Sequence, residues 1–424
     1  MTINELSKLI EGGALEKYSE LYSNTASAKE RFSAAITSFS KLYGDSREVA
    51  VFSVPGRSEI SGNHTDHNCG KVLCGAIDKD VIAIASKNYD GVIRIHSEGY
   101  PEDTVTVSEV GDPDSYKKYS SAALIAGTAK AFVDRGYSVG GFDAYLTSEV
   151  LRGSGISSSA AYEVMIGNMI SHLYNGGAVD AVELAKIAKY AENEYFGKPC
   201  GLMDQTACAV GGFVYIDFAD PNSPEILPID FSLTSYGWSL CIVNTGGNHA
   251  DLNEDYASVP SEMRQVAKLL GRDVLRGLSE EDIIKNLRNI RRIVGDRAVL
   301  RTLHFLREND RVEAIKESLI NSDLQGFLSG IRESGRSSFE FLQNVYSNQN
   351  VKEQGLSLAL ALAEGYLSGK EFVARVHGGG FAGTIQVFLK NEDAEDFTEY
   401  MDQVFGEGSA EVFRIRPKGA VKLF

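Results

Sequence analysis

Gly153-Ser154-Gly155-Ile156-Ser157-Ser158-Ser159-Ala160-Ala161 is the stretch on which the reading of this chain turns. Just before it, Phe142, Ala144 and Leu146 alternate with their neighbours, which predicts a strand. Just after it, a segment ending at Gly176-Gly177 predicts a helix. A glycine- and serine-rich turn in that place lets the backbone approach a ligand, and the helix start offers free N–H groups at the positive end of a dipole. Such a turn suits a phosphate, and its hydroxyls can bond a phosphate oxygen or a Mg2+ ion. No lysine follows the glycines, so this is not a Walker loop, and the protein-kinase G-x-G-x-x-G-x-V pattern is absent. A serine cap on an ordinary helix is the plain structural alternative.

Working outward, residues 1–48 read as helical, with Leu6, Leu9, Ile10, Phe32, Ala35, Ile36 and Phe39 at helical spacing. A strand is predicted over 49–54, stopped by Pro55 and Gly56, with further strands over 81–85, 92–96 and 104–107. Helices are expected over 120–135 and 182–195, and a strand over 213–218. Asp220-Pro221-Asn222-Ser223-Pro224 is the clearest turn cluster and marks the expected domain boundary. Beyond it a strand over 238–244 precedes helices over 260–270, 280–289, 298–322 and 324–344. His377-Gly378-Gly379-Gly380-Phe381-Ala382-Gly383 then leads into an alternating strand over 384–389. The expectation is α+β: an N-terminal domain over 1–220, a C-terminal domain over 221–424, and a cleft between them.

Composition narrows the function. A length of 424 residues suits two domains better than one core. A net charge of -16 argues against a nucleic-acid surface, which needs a basic stripe. No apolar run reaches the length of a membrane span; the richest, at 356–362, is cut by Glu364. The start, MTINELSKLIEGG, mixes acidic with apolar residues and does not look like a secretory signal. Cys69, Cys74, Cys200, Cys208 and Cys241 are odd in number and never spaced CxxC, which speaks against a disulfide framework or a zinc site and fits a reducing cytoplasm.

Two further segments carry chemistry. Pro55-Gly56-Arg57, followed by Gly62-Asn63-His64-Thr65-Asp66-His67-Asn68-Cys69-Gly70, packs donors and acceptors into a loop, as a polyhydroxylated ligand requires. His64 and His67 lack the i, i+4 spacing of a zincin helix, and a polar turn is the other reading. Cys200-Gly201-Leu202-Met203-Asp204-Gln205 places one acid in a short apolar context, where it can serve as a general base or orient a hydroxyl, or merely cap and pair locally.

Together, and in this order, these segments resemble the galactokinase family, within the wider group of galactose, homoserine, mevalonate and phosphomevalonate kinases. The similarity runs from about residue 26 to the end. The family signature P-G-R-x-N-L-I-G-E-H-T-D-Y-N-x-G is met by PGRSEISGNHTDHNCG, its phosphate motif by GSGISSSAA, and CGIMDQ by CGLMDQ. A C-terminal glycine motif appears as RVHGGGFAG. The resemblance implies the two-domain fold of that group with the active site in the cleft, and an ATP-dependent kinase acting on the anomeric hydroxyl of galactose. It implies that Asp204 orients or deprotonates that hydroxyl and that Arg57 steadies Asp204 and the moving phosphoryl group. Asn63, His64, Asp66, Gly201 and Tyr256 would line the sugar pocket. The ATP phosphates would lie against Gly153, Ser154, Gly155, Ile156, Ser157, Ser158 and Ser159, with Gly379 and Gly380 closing the site. Ser159 and Glu192 would hold Mg2+.

Several positions depart from the family pattern: Asn63 stands for its glutamate, Glu59 for an asparagine, His67 for a tyrosine and Ala382 for a glycine. An amide at position 63 adds a donor and removes a charge, which predicts a weaker hold on galactose, relieved by Asn63→Glu, and a better fit to a sugar with an acceptor there. The other reading is that Asn63 serves the same hydroxyl, with neighbouring changes such as Glu59 compensating. Two alternatives remain: a same-fold kinase for a galactosamine derivative, arabinose or a uronic acid, and a non-catalytic sugar sensor. The unbroken Ser157–Ala161 run and the presence of Asp204 weigh against the sensor.

Overall fold

Residues 1–150, 155–247 and 252–424 are described by the structure, a computed structural model, with Asn253 described by its backbone alone. The chain forms two compact units, and both are discontinuous in sequence. The first comprises Met1–Arg57, Ala76–Gly212 and Arg416–Phe424; the second comprises Ser58–Gly75 and Phe213–Ile415. A contiguous division at residue 220 is therefore not what the structure has. The turn cluster at 220–224 joins two antiparallel strands, Phe213–Asp217 and Glu225–Ile229, inside the second unit. Its proline and asparagine mark a hairpin turn, which the same turn chemistry serves equally well.

In the first unit Phe52 and Ser53 of the strand Ala50–Ser61 pair antiparallel with Val421–Lys422, and Val81–Lys87 of the strand Lys71–Lys87 pairs antiparallel with Phe142–Ser148. Val92–Ser97 lies parallel to Phe142–Ser148. The first of these strands runs through Pro55 and Gly56, where the sequence predicted a stop; a proline interrupts a strand only where a neighbour needs its missing N–H. Side chains alternate across this sheet. Val51, Ile82, Ile84 and Tyr145 pack with Leu6, Ile10, Phe32, Ile36 and Phe39 of the helices Ile3–Glu11 and Thr25–Tyr43. Phe52 points the other way, its ring centroid 5.9 Å from that of His172 on the helix Ser158–Tyr174.

Beneath these apolar layers lies one buried charge cluster. Asp80, fully buried, accepts from Tyr22 at 2.9 Å and pairs with Arg31 at 2.6 Å and with the fully buried Arg416 at 3.1 Å; Ser53 also donates to it. Burial alone would push the Asp80 carboxyl up, but the two guanidinium groups hold it below the usual carboxylate range.

The second unit is built on a four-stranded antiparallel sheet in the order Ala410–Phe413, Trp238–Asn244, Thr384–Lys390, Phe372–His377. Val243, Ile385 and Val387 share a core with Leu356, Ala359 and Ala363 of one helix and Phe397 and Met401 of another. A second cluster joins the helices Asn253–Leu269, Glu280–Val294 and Asp296–Ile320 through Met263, Ile283, Ile290 and Phe305. Among the described residues no helix is long and apolar enough to cross a membrane.

Candidate active site

The sequence-predicted site residues fall into two groups, one in each unit. In the first unit the turn after Phe142–Ser148 reaches Gly155 at φ 77° and Ser157 at φ 62°, both left-handed. Glycine takes that conformation freely, whereas for a serine it costs on the order of 1 kcal/mol. Gly153 and Ser154 lie outside the described residues. The helix Ser158–Tyr174 then begins with no side-chain cap, so Ser157 is not the ordinary N-cap considered above. Among the described residues, no N-cap side chain bonds the first amides of this helix.

Asp204 sits in the first turn of the helix Met203–Val210, with a third of its side chain exposed. Arg57 grips it with two parallel bonds, Nε to Oδ1 at 2.7 Å and Nη2 to Oδ2 at 2.9 Å. The remaining arm of Arg57 donates to the Gly155 carbonyl at 2.7 Å, and its backbone N–H donates to Ile156. Ser157 donates its hydroxyl to Asp204 Oδ2. Arg57, Gly155, Ile156, Ser157 and Asp204 are thus one hydrogen-bonded set. Burial opposes ionisation of Asp204, but the charge and bonds of Arg57, with Ser157 and Lys198, outweigh it and hold the carboxyl below its ordinary range. Gly201 is exposed just ahead of this helix.

Glu192 lies on a π-helical turn, Ala191–Phe196, that extends the helix Ala181–Tyr190. Its buried carboxylate accepts from Ser159 at 3.2 Å, Lys198 at 3.1 Å and Gln205 at 2.7 Å. Gln205 also donates to Glu163 at 3.3 Å, and burial followed by the nearby Glu192 pushes the Glu163 carboxyl well up. Glu163, Lys198 and Gln205 escaped the sequence reading. Gln205, inside CGLMDQ and next to Asp204, was the one within reach of it.

The second unit carries the rest. Asp66 opens a short 3-10 turn and accepts from its neighbour's backbone N–H at 2.9 Å. His64 is buried at φ 58°, its Nε2 donating to the Gly379 carbonyl at 2.8 Å. Burial lowers its pKa to about 4, so the ring is neutral at physiological pH. Tyr256 donates its hydroxyl to Gly380 at 2.9 Å. Asn63 is fully buried and stands differently from expectation. Its Nδ2 donates to Glu59 at 2.8 Å and to Gly378 at 2.6 Å, while its Oδ1 accepts from Asn344 at 2.6 Å and Ser338 at 3.4 Å. All four bonds an asparagine side chain can make are spent inside the protein.

This loop rests on the helix Asp296–Ile320. Glu308 accepts the Gly62 N–H at 3.0 Å, His304 donates from Nε2 to the Asn63 carbonyl at 2.9 Å, and Asn309 accepts the Lys71 N–H at 2.7 Å. His304 and Glu308, one turn apart, share a face of the helix, and Asn309 flanks it.

Comparison with known proteins bears on the family and the fold. The model described as GHMP kinases N terminal domain matches residues 123–212, and the galactokinase galactose-binding signature matches residues 37–87. Among solved structures, Lactococcus lactis galactokinase complexed with galactose superposes with a TM-score of 0.76 at 23% identity, covering 92% of this chain and 99% of that one. A mevalonate kinase follows at TM-score 0.60 and 13% identity, covering 87% and 99%. The fold is therefore that of the galactose, homoserine, mevalonate and phosphomevalonate kinases. Galactokinase of Streptomyces coelicolor is 31% identical over 384 residues, 89% of this chain and 94% of that protein. Galactokinase of Thermotoga neapolitana is 30% identical over 83% of this chain and 92% of its own length. This chain belongs to the galactokinase family.

Proposed function

We propose that the protein transfers the γ-phosphate of ATP to the anomeric hydroxyl of galactose, giving galactose 1-phosphate and ADP. The observation that carries this reading is the Asp204 carboxylate, held in the fork of Arg57 and bonded by Ser157 at the start of a helix. Asp204 accepts a hydrogen bond from the sugar hydroxyl and aims its oxygen. Because Arg57 keeps the carboxyl acidic, Asp204 is a weak base in the ground state and takes the proton only as the oxygen becomes bonded to phosphorus. A loose phosphoryl-transfer transition state fits this order, since it asks for positioning before proton removal. Arg57 holds Asp204 in register and offers positive charge to the transferring group. The glycine-serine turn receives the ATP phosphates on its backbone amides.

Ser159 and Glu192 fit a Mg2+ ion, both offering hard oxygen donors 3.2 Å apart, one on a helix and one on a π-helical turn. Mg2+ keeps several waters and draws further ligands from substrate phosphates, so two protein oxygens suffice. When bound, it neutralises phosphate charge. Lys198 and Gln205 orient the Glu192 carboxylate. The net charge and the five free cysteines support a cytoplasmic enzyme that binds small molecules rather than nucleic acid.

The test is Asp204→Asn in a coupled ADP-release assay with galactose. Turnover should fall by about 10²-fold or more while ATP binding persists. Near-normal kcat would remove Asp204 from the reaction. A panel of pure sugars in the same assay identifies the preferred substrate.

A further inference from the structure

Three consecutive carbonyls of the 378–380 turn receive side-chain donors, Gly378 and Gly380 one each and Gly379 two. Asn63 donates to Gly378 at 2.6 Å, His64 to Gly379 at 2.8 Å and Tyr256 to Gly380 at 2.9 Å. Asn344 ties the set together, its Nδ2 donating both to the Gly379 carbonyl at 3.1 Å and to Asn63 Oδ1 at 2.6 Å. Its own backbone carbonyl accepts the Phe381 N–H at 2.5 Å. A π-helical turn, Ser338–Leu342, followed by Gln343 at φ 57°, delivers Asn344 to this fully buried place.

A glycine turn that cradles phosphate presents N–H groups to the anion. This one directs its carbonyls to protein donors, and just beyond it the N–H groups of Phe381 and Ala382 are spent on the carbonyls of Asn344 and Gly380. Its glycines are needed for close approach. A Cβ on Gly379 would lie 2.2 Å from the Tyr256 ring, and one on Gly380 would lie 2.0 Å from the Asn344 carbonyl. Two of the clasped side chains, Asn63 and His64, belong to the segment matched by the galactose-binding signature.

We propose that Asn344 and the 378–380 turn form a sugar-side clasp, a set of positioning residues that fixes the affinity for the sugar and leaves the affinity for ATP untouched. The proposal rests on the reading above that this chain phosphorylates a sugar, and it moves Gly379 and Gly380 from the nucleotide to the sugar. Asn344 acts through Asn63 and His64: without its amide, Asn63 Oδ1 loses its closest donor and the loop that bears His64 and Asp66 relaxes.

The experiment compares wild type with Asn344→Ala, Asn344→Asp and Tyr256→Phe in the full chain, measuring KM for galactose and for MgATP separately and checking folding by thermal unfolding. The galactose KM should rise about tenfold or more in both Asn344 variants. The rise should be larger for Asn344→Asp, whose carboxylate would oppose two acceptors. Tyr256→Phe, which keeps the ring and is the gentler change, should raise it about threefold. The ATP KM should stay within about twofold throughout. A raised ATP KM with an unchanged galactose KM overturns the clasp, as do two unchanged constants in Tyr256→Phe if the Asn344 variants do not fold. A wild type that phosphorylates another sugar but not galactose overturns the choice of galactose alone, and the KM for that sugar then decides the clasp. A wild type inactive on every sugar overturns both.

Discussion

At the scale of single residues, Arg57 does two jobs that a lysine could not combine. Its planar fork meets both oxygens of Asp204 and still spares a nitrogen for the Gly155 carbonyl. Arg57→Lys keeps the charge and loses the fork. Burial then weighs more heavily on Asp204, and its pKa should rise. Because the carboxylate is the active form, the acid limb of the pH–rate profile should move up by about one unit or more, with kcat lower by at least tenfold. A profile that drops without moving would mean that Arg57 acts on the phosphoryl group and not through Asp204. Asn63 makes the opposite point, that a departure from a family pattern need not lie where the ligand lies. A glutamate there would face the Gly378 carbonyl and the Glu59 carboxylate in place of two accepted donations. Asn63→Glu should therefore destabilise the protein by about 2 kcal/mol or more in urea unfolding, and not improve galactose turnover. Glu59 has its own compensation in the buried Arg375, 3.6 Å away. The asparagine and glutamate have traded places as a pair.

Whole elements show which parts of the fold could be read in advance. The strand Trp238–Asn244 and the helix Ser121–Asp134 follow their local patterns within a residue or two. The turn before Ser158–Tyr174 also announces itself, because glycine and serine there answer a local backbone need. The helix Asn391–Phe405 escaped notice even though Ala394, Phe397 and Met401 have helical spacing. What no local pattern encodes is the partner of a polar side chain far along the chain. Glu308 is an ordinary acid within a helix until Gly62 and Ser334 arrive on its carboxylate and Arg311 pairs with it. Asn344 is likewise silent until the glycine turn folds against it. For the same reason, Glu308→Ala should cost about 2–3 kcal/mol, since it strands the Gly62 N–H and takes the nearest carboxylate from the partly buried Arg311. An unchanged urea midpoint would show that Arg311 reaches water unaided.

For the molecule as a whole, buried neutral histidines set the response to acid. His64, with a pKa of about 4, and His304, also lowered chiefly by burial, bind fewer protons folded than unfolded. A group with a lowered histidine pKa stabilises fully above its unfolded value near 6.5, and the contribution drains away as pH falls toward the folded value. Stability should thus decline between about pH 6.5 and 4, by on the order of 2–3 kcal/mol for His64 alone. His64→Gln should flatten that decline in thermal unfolding across the same window. An identical slope in the variant would assign the acid sensitivity to other groups.

The buried pairing of Asp80 with Arg416 has a consequence for how the protein is made. The first unit takes its last strand, Val421–Lys422, and the guanidinium that neutralises Asp80 from the segment Arg416–Phe424. A ribosome delivers that segment only after residues 213–415 have been translated. Until then Asp80 has lost one of its two cations and Ala50–Ser61 has an open edge beside Phe52, a hazard for an emerging chain. The interval between translating the first strand and receiving its last neighbour is the time in which a chaperone would have most to protect.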